Sequence, residues 1–145
     1  MGMTASDYEI STDRRRLDID VIHGFLARSY WSAGIPRETV QRAIDYSHCF
    51  GAYCSGRQVG FARVITDRAT FAYLADVFVL EGHRGIGISK RLMRCIVDDP
   101  DLRRLRRFLL GTRDAHGLYR KFGFDELAYP SRLMEILRPD VYRSA

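Results

Sequence analysis

The stretch from Val77 to Lys90 (Val-Phe-Val-Leu-Glu-Gly-His-Arg-Gly-Ile-Gly-Ile-Ser-Lys) combines residue types suited to holding phosphate. An apolar run passes through a glycine-rich turn into an amphipathic helix. Helix N-termini present unpaired N–H groups and a partial positive charge, and a pyrophosphate can rest directly on them. Gly85 and Gly87 carry no side chain, so an anion can approach the backbone closely. Arg84 adds charge at the mouth. The candidate phosphate cradle is therefore Arg84, Gly85, Ile86, Gly87, Ile88, Ser89 and Lys90.

Three phosphate-binding classes compete for this segment. The P-loop requires a Gly-Lys-Ser/Thr ending at wider spacing, and it is absent. The dinucleotide fingerprint requires a third glycine at position 90, which is Lys90. The acyl-coenzyme A motif, Arg/Gln-x-x-Gly-x-Gly/Ala, fits Arg84 to Ser89 except at its last residue. A second constellation follows downstream: Ala115-His116-Gly117-Leu118-Tyr119-Arg120-Lys121-Phe122-Gly123-Phe124.

With both motifs in order, the chain resembles the GNAT family of N-acetyltransferases. Val79 to Gly87 looks like the family's CoA-binding core, and Ala115 to Phe124 is similar to its Ala-x-x-Leu-Tyr-x-x-x-Gly-Phe signature. The resemblance spans roughly residues 8 to 137, and its specific part lies at 74 to 124. Two departures stand out. Ser89 replaces the usual final Gly or Ala. Thr112 stands where many members carry an Asn that contacts the cofactor or orders the site, so Thr112 or Asp114 is the substitute expected there.

The resemblance implies acetyl-CoA as cosubstrate, with no metal, and direct transfer of acetyl to a primary amine of a small molecule. By position, the backbone of Phe78 and Val79 should pair with the pantetheine arm in a gap of the sheet, and one of those amides would polarise the thioester carbonyl. Tyr119 matches the family's proton donor to the leaving thiolate, and its position also places it against the cofactor. The incoming amine needs a base, because a lysine-like amine with a reference pKa near 10.4 arrives mostly protonated. Asp76 is the candidate: a lone carboxylate in an apolar strand, whose burial demands a partner or a cleft. The alternative for Asp76 is a structural ion pair with Arg63 on the neighbouring strand, and both readings stand. His83 and His116 are further proton carriers by type, with helix-end or surface roles as the plainer reading. The acceptor pocket should come from the first two helices, with Tyr30, Trp31 and Tyr46 as its aromatics.

These residues need elements to hold them. Tyr8 to Ser11 reads as a short strand. Leu17, Val21, Ile22, Phe25 and Leu26 recur at helical spacing, giving a helix from about Asp18 to Arg28. Pro36 suits the first position of a second helix, with Glu38 in its first turn. From Cys49 the period shortens. Cys49 to Cys54 and Gln58 to Thr66 read as strands joined by a tight turn at Ser55-Gly56-Arg57. Phe71 to Leu80 is a long apolar run, read as a central strand covered on both faces. Ile86 to Val97 is an amphipathic helix, and Phe108 to Gly111 a buried strand. Asp114 is the expected N-cap of a further helix, which Gly123 stops. Phe124 to Leu127 and Leu133 to Leu137 are read as closing strands. The expected fold is α/β: a single domain over 1–145, with a GNAT-like mixed, partly split β-sheet flanked by helices, in the order β-α-α-β-β-β-α-β-α-β-β.

Bulk properties narrow the classes further. The 145 residues are 46% hydrophobic and 28% charged, an ordinary globular balance for one domain. No apolar run approaches the roughly 20 residues that span a bilayer, and the polar start lacks a secretory signal, so a cytoplasmic protein without membrane attachment is expected. Met1 to Ser6 formally fits a myristoylation pattern, and equally a cloning remnant before a native Met3; lipidation is not expected. Cys49, Cys54 and Cys95 lack zinc spacing and read as free thiols. The net charge of +5 is almost wholly arginine, Lys90 and Lys121 being the lysines. Codon bias in a GC-rich genome is one reading of this excess, and an anionic partner such as a nucleotide phosphate is the other. The cluster Arg103, Arg104, Arg106 and Arg107 reads as a solvated helix end, and no nucleic-acid partner is expected. A homodimer through a C-terminal edge strand is compatible by analogy alone. Two other functions remain open: acetylation of a protein or peptide N-terminus, and a non-catalytic acyl-CoA-binding regulatory module.

Overall fold

The computed structural model describes residues 3–143; Met1 and Gly2, the start of the formal myristoylation pattern, lie outside the described residues. The chain forms β1 (Tyr8–Ser11), α1 (Ile19–Leu26), α2 (Arg37–Asp45), β2 (His48–Cys54), β3 (Arg57–Thr66), β4 (Phe71–Val79), α3 (Ile88–Asp98), β5 (Arg107–Leu110) and α4 (His116–Arg120). The five strands make one sheet in the order β1-β2-β3-β4-β5. The first three pairings are antiparallel, and β4 runs parallel to β5. Parallel pairing requires a crossover, which α3 supplies.

Strand alternation distributes the core between the two faces. On one side Phe50, Ala52, Ala62 and Val64 pack against Ile88, Leu92, Met93 and Ile96 of α3 and Tyr119 of α4. On the other, Cys49, Phe61 and Phe78 pack against Ile22 and Leu26 of α1 and Val40 and Ile44 of α2. Local chemistry fixes the ends. Asp18 caps α1 by accepting from the Asp20 and Val21 amides, and the buried Gln58 side chain accepts from the Asp18 amide while donating to the Gly60 carbonyl. The β2–β3 turn has two central residues at positive φ, Ser55 (51°) and Gly56 (81°), the pattern of the hairpin turn that matches strand twist. His48 Nε2 lies 2.8 Å from Asp99 Oδ2 and ties β2 to the end of α3.

The decisive irregularity lies in β4. Phe61 pairs with Phe78 and Arg63 with Ala75, so two steps along β3 match three along β4. This is a β-bulge, and its extra residue reverses the alternation. Ala72 and Leu74 face the α3 side before it, and Val77 and Val79 do so after it. Asp76, at φ 56°, joins Phe78 on the other side. A non-glycine residue in this left-handed region costs about 1–2 kcal/mol, which the flanking pairings must offset.

Four expectations need correction. The closing strands at 124–127 and 133–137 are absent among the described residues; cavities lined by both Phe108–Leu109 and Phe124–Leu127 lie between β5 and the first of these segments. β4 is an interior strand, second from the edge rather than central, and it is covered on both faces only in its second half, since Phe71 and Tyr73 are exposed where no helix lies over them. Asp114 does not cap α4. Its cap residue is Ala115, whose amide donates to Thr112 Oγ1 at 3.1 Å, so the shorter side chain two residues earlier captures that donor. The arginine cluster does not end a helix, because Asp99 and Pro100 have already stopped α3: Arg103 and Arg104 lie on the turns that follow, Arg106 on a bend and Arg107 at the start of β5.

Candidate active site

The sheet opens at the place where the two motifs meet. The β4–β5 pairing ends at Leu74 opposite Leu110, while β4 continues to Val79. From Ala75 onward, β4 has no strand on its β5 side among the described residues. An extended chain can add to such an edge through main-chain hydrogen bonds.

At the far end of this edge is a cavity of about 270 Å³ lined by Val79, His83, Arg84, Gly85, Gly87, Ile88, Ser89, Lys90 and Leu118. Gly85 and Gly87 both have positive φ, 83° and 90°, conformations that favour glycine. Gly87 is the N-cap of α3 and no side chain caps the helix. The first intrahelical bond of this turn runs from the Arg91 amide to the Gly87 carbonyl, which leaves the amides of Ile88, Ser89 and Lys90 without intrahelical acceptors. A Cβ at Gly85 or Gly87 would meet no protein atom within 4 Å, so the space in front of the turn is open. Arg84 Nε donates to the Val79 carbonyl at 2.8 Å, holding the guanidinium at the lip. His83 is pinned by Tyr8, whose hydroxyl lies 2.7 Å from Nδ1. The side chain of Ile86 packs toward the α3-side core.

At the near end is a second cavity of about 400 Å³, lined by residues from four separate parts of the chain: Tyr30, Trp31 and Ser32; Arg63; Tyr73 to Val77; and Leu110 to Thr112 with Asp114, Ala115 and Tyr119. The Tyr30–Trp31 loop is braced from beneath. Ser29 Oγ donates to the Leu26 carbonyl and accepts from the Ser32 amide, and the Gly34 amide donates to the Ala27 carbonyl. The Trp31 indole donates to Asp76 Oδ1 at 2.9 Å, and Arg63 Nε donates to Asp76 Oδ2 at 2.8 Å. Both oxygens of the buried carboxylate are therefore engaged, and Arg63 also donates to Ser47 Oγ. Phe78 turns its side chain away, stacking on Phe25 with ring centroids 4.1 Å apart, so only its backbone faces the open edge.

Tyr119 is 9% exposed. Burial raises its phenol above the ordinary value, with nearby Tyr30 adding to the effect, so the hydroxyl stays protonated at neutral pH. No partner for that hydroxyl is found among the described residues, in keeping with an OH that lines a cavity.

The structure thus gathers Tyr30, Trp31, Asp76, Thr112, Asp114 and Tyr119 around one space, and Arg84, Gly85, Gly87, Ile88, Ser89 and Lys90 around another. It leaves Tyr46 out: that ring is 80% exposed and lines neither. His116 also lies outside both, on a groove beside β5. The Arg113 guanidinium, 3.8 Å from the Tyr30 ring centroid, went unnoticed in the sequence, as did the bracing serines. Nothing in local spacing marks them, since each acts through residues distant in the chain.

Comparison with known proteins agrees with this geometry. The model of the acetyltransferase (GNAT) domain matches residues 45–126. The Gibberella zeae protein named "Putative acetyltransferase FG08082" is 32% identical over 139 residues, covering 81% of this chain and 78% of its own. A Xanthomonas campestris pv. campestris crystal structure ascribed to the GNAT family superposes with a TM-score of 0.92 at 54% identity, covering 97% of this chain and 99% of that one. A Clostridium acetobutylicum structure solved with acetyl-CoA shares the fold at 15% identity and a TM-score of 0.63, covering 90% of this chain and 94% of that one. A split sheet, a glycine turn opening α3 and a buried tyrosine behind the split, with a family match across all three, make this chain a member of the GNAT acetyltransferase family.

Proposed function

We propose that the chain moves the acetyl group of acetyl-CoA directly to a primary amine of a small molecule. The observation that carries this reading is the alignment of three features along one line: the uncapped N-terminus of α3, the free edge of β4 beyond Leu74, and the cavity at Tyr119. The diphosphate would lie on the amides of residues 88–90, with Arg84 and Lys90 adding charge. The pantetheine arm would run along the backbone of Val79 and Phe78. A β4 amide would then donate to the thioester oxygen, where negative charge develops. The Clostridium relative solved with acetyl-CoA supports this cosubstrate.

The incoming ammonium first gives its extra proton to water in the cavity; the neutral nitrogen then attacks the carbonyl carbon, the C–S bond breaks, and the thiolate takes the Tyr119 proton. The ammonium returns a proton to the phenolate through water, so the enzyme ends as it began. Asp76, oriented by Arg63 and Trp31, presents its remaining lone pairs to the amine hydrogens and holds the nitrogen toward the carbonyl. A cavity of about 400 Å³ falls in the range that encloses small ligands, which favours a small acceptor over a folded protein surface.

The test is thiol release from acetyl-CoA against a panel of small amines and peptide N-termini. Turnover with small amines supports the reading. Turnover with peptides alone transfers the activity to protein N-termini. Saturable acetyl-CoA binding without turnover on any acceptor replaces the enzyme with a regulatory module.

A further inference from the structure

The proposed acceptor cavity has a charged group at each end of an aromatic wall. At one end is the Asp76 carboxylate, which accepts from the Trp31 indole at 2.9 Å. The Trp31 ring meets Tyr30 edge to face, with centroids 5.1 Å apart. Over the Tyr30 ring lies the Arg113 guanidinium, 3.8 Å from the centroid. Asp76, Trp31, Tyr30 and Arg113 thus form one run of contacts, with a carboxylate first and a guanidinium last. The first three line the cavity, and Arg113 stands on the loop between Thr112 and Asp114, both of which line it too. Arg113 is exposed, and among the described residues no carboxylate pairs with it. A guanidinium resting on a ring keeps its edge N–H groups free, and these meet a carboxylate in a bidentate fork. The cavity's other guanidinium, Arg63, is already committed to Asp76 and Ser47.

We infer that Arg113 recognises a carboxylate on the acceptor, so that the acceptor is a primary amine with a carboxylate at the other end of its body. The inference rests on the proposed acetyl transfer and on the acceptor site placed beside Asp76. The amine lies at Asp76, the body runs along Trp31 and Tyr30, and the carboxylate reaches Arg113. Two rings intervene between the charged groups. The acceptor's amine and carboxylate should therefore stand several bonds apart, rather than on one carbon as in an α-amino acid. A single guanidinium charge matches a carboxylate better than a phosphate monoester of about −2. Asp114 also lines the cavity and would favour a second ammonium, which makes a diamine the rival acceptor. The contacts favour the carboxylate: a ring holds Arg113 in place, whereas among the described residues nothing fixes the Asp114 side chain.

The test uses two readouts on the full chain. Trp31 is the single tryptophan of the sequence and lines this cavity, so its emission reports occupancy without turnover. Thiol release from acetyl-CoA reports transfer. The probes are ω-amino acids of rising chain length, with n-alkylamines, diamines and aminoalkyl phosphates of matched length. The expected result is a chain-length optimum among the ω-amino acids, with kcat/KM about tenfold above that of the matched alkylamine. Arg113→Gln should bring that ratio near one through KM, and should weaken ω-amino acid binding at Trp31 by the same factor. Arg113→Lys, which keeps the charge without the fork, should restore part of the preference. The wild-type panel decides independently if either variant fails to fold. Equal or better turnover of alkylamines or diamines overturns the inference and leaves acetyl transfer standing. So does a carboxylate preference that survives Arg113→Gln, and so does a preference for the phosphates. If no small amine is turned over, binding decides. A saturable, Arg113-dependent Trp31 response to the ω-amino acids keeps the carboxylate site and overturns acetyl transfer to small amines alone. No such response overturns both.

Discussion

Trp31 and Asp76, 45 residues apart in the chain, are joined by a 2.9 Å hydrogen bond from the indole N–H to a carboxylate oxygen. The bond depends on the β4 bulge, which turns Asp76 to the α1–α2 side of the sheet, and on the serine-braced loop that brings Trp31 over it. Arg63 holds the second oxygen. The wall of the proposed acceptor cavity is thus a three-residue assembly whose members come from a loop and two strands.

Removing its centre should be costly. Asp76→Ala leaves the largely buried Arg63 guanidinium without its carboxylate, a loss worth about 3–5 kcal/mol. Urea unfolding should show a lower midpoint at unchanged slope. Acetyl-CoA affinity, set at the other end of β4, should change little, and turnover should fall. An unchanged midpoint would show that the ion pair contributes nothing to stability.

Tyr119→Phe keeps the ring that packs against Phe124 and removes only the hydroxyl. Turnover should drop by about 10²-fold or more if the phenol supplies the thiolate's proton, with acetyl-CoA affinity unaltered. Burial raises the Tyr119 phenol, so the alkaline fall in the wild-type rate should come above pH 10, and the variant should lack it. Steady-state thiol release across pH measures both, and equal rates for the two proteins would remove Tyr119 from the reaction.

Gly87→Val probes the proposed phosphate site. At φ 90° the valine strains the backbone by about 1–2 kcal/mol, although its Cβ meets no protein atom. The chain should therefore fold while CoA binding weakens more than tenfold in calorimetric titration. Gly82→Ala serves as the control, since it also meets nothing and has no positive φ to strain. Retained affinity in Gly87→Val would place the diphosphate elsewhere.

Stability should decline at alkaline pH in a defined window. Burial pushes the Cys49 thiol from 9.0 up to about 11 and the Tyr53 phenol from 10.0 up to about 12. Folded-state values raised above the unfolded ones mean that the native state binds these protons more tightly. The stability they contribute is complete below about pH 9 and is lost as pH rises toward 12. Denaturant midpoints at pH 8, 10 and 11 should fall in that order. Cys49→Ala should flatten the first part of the decline relative to its own value at pH 8.

Local preferences made several parts of this protein legible in the sequence. Gly85 and Gly87 announce a turn only glycine accepts readily, and the apolar spacing after them announces α3. Ser55-Gly56 announces the hairpin between two alternating runs. Leu118, Tyr119 and Phe122 at helical spacing place Tyr119 against the core. In each case the deciding interaction lies within a few residues, so composition and period suffice.

Other features were settled only when distant segments met. Nothing near Asp76 says that β4 carries an extra residue there; the register of β3 against β4 decides it, and with it the face on which the carboxylate lies. Trp31 and Arg63 become its partners only once loop and sheet are packed. Thr112, not Asp114, takes the α4 amide because tertiary packing sets the turn before that helix. The closing strands expected at 124–127 and 133–137 are absent among the described residues: their composition suits strands, but a strand exists only where another backbone offers its hydrogen bonds, and that is decided by tertiary structure.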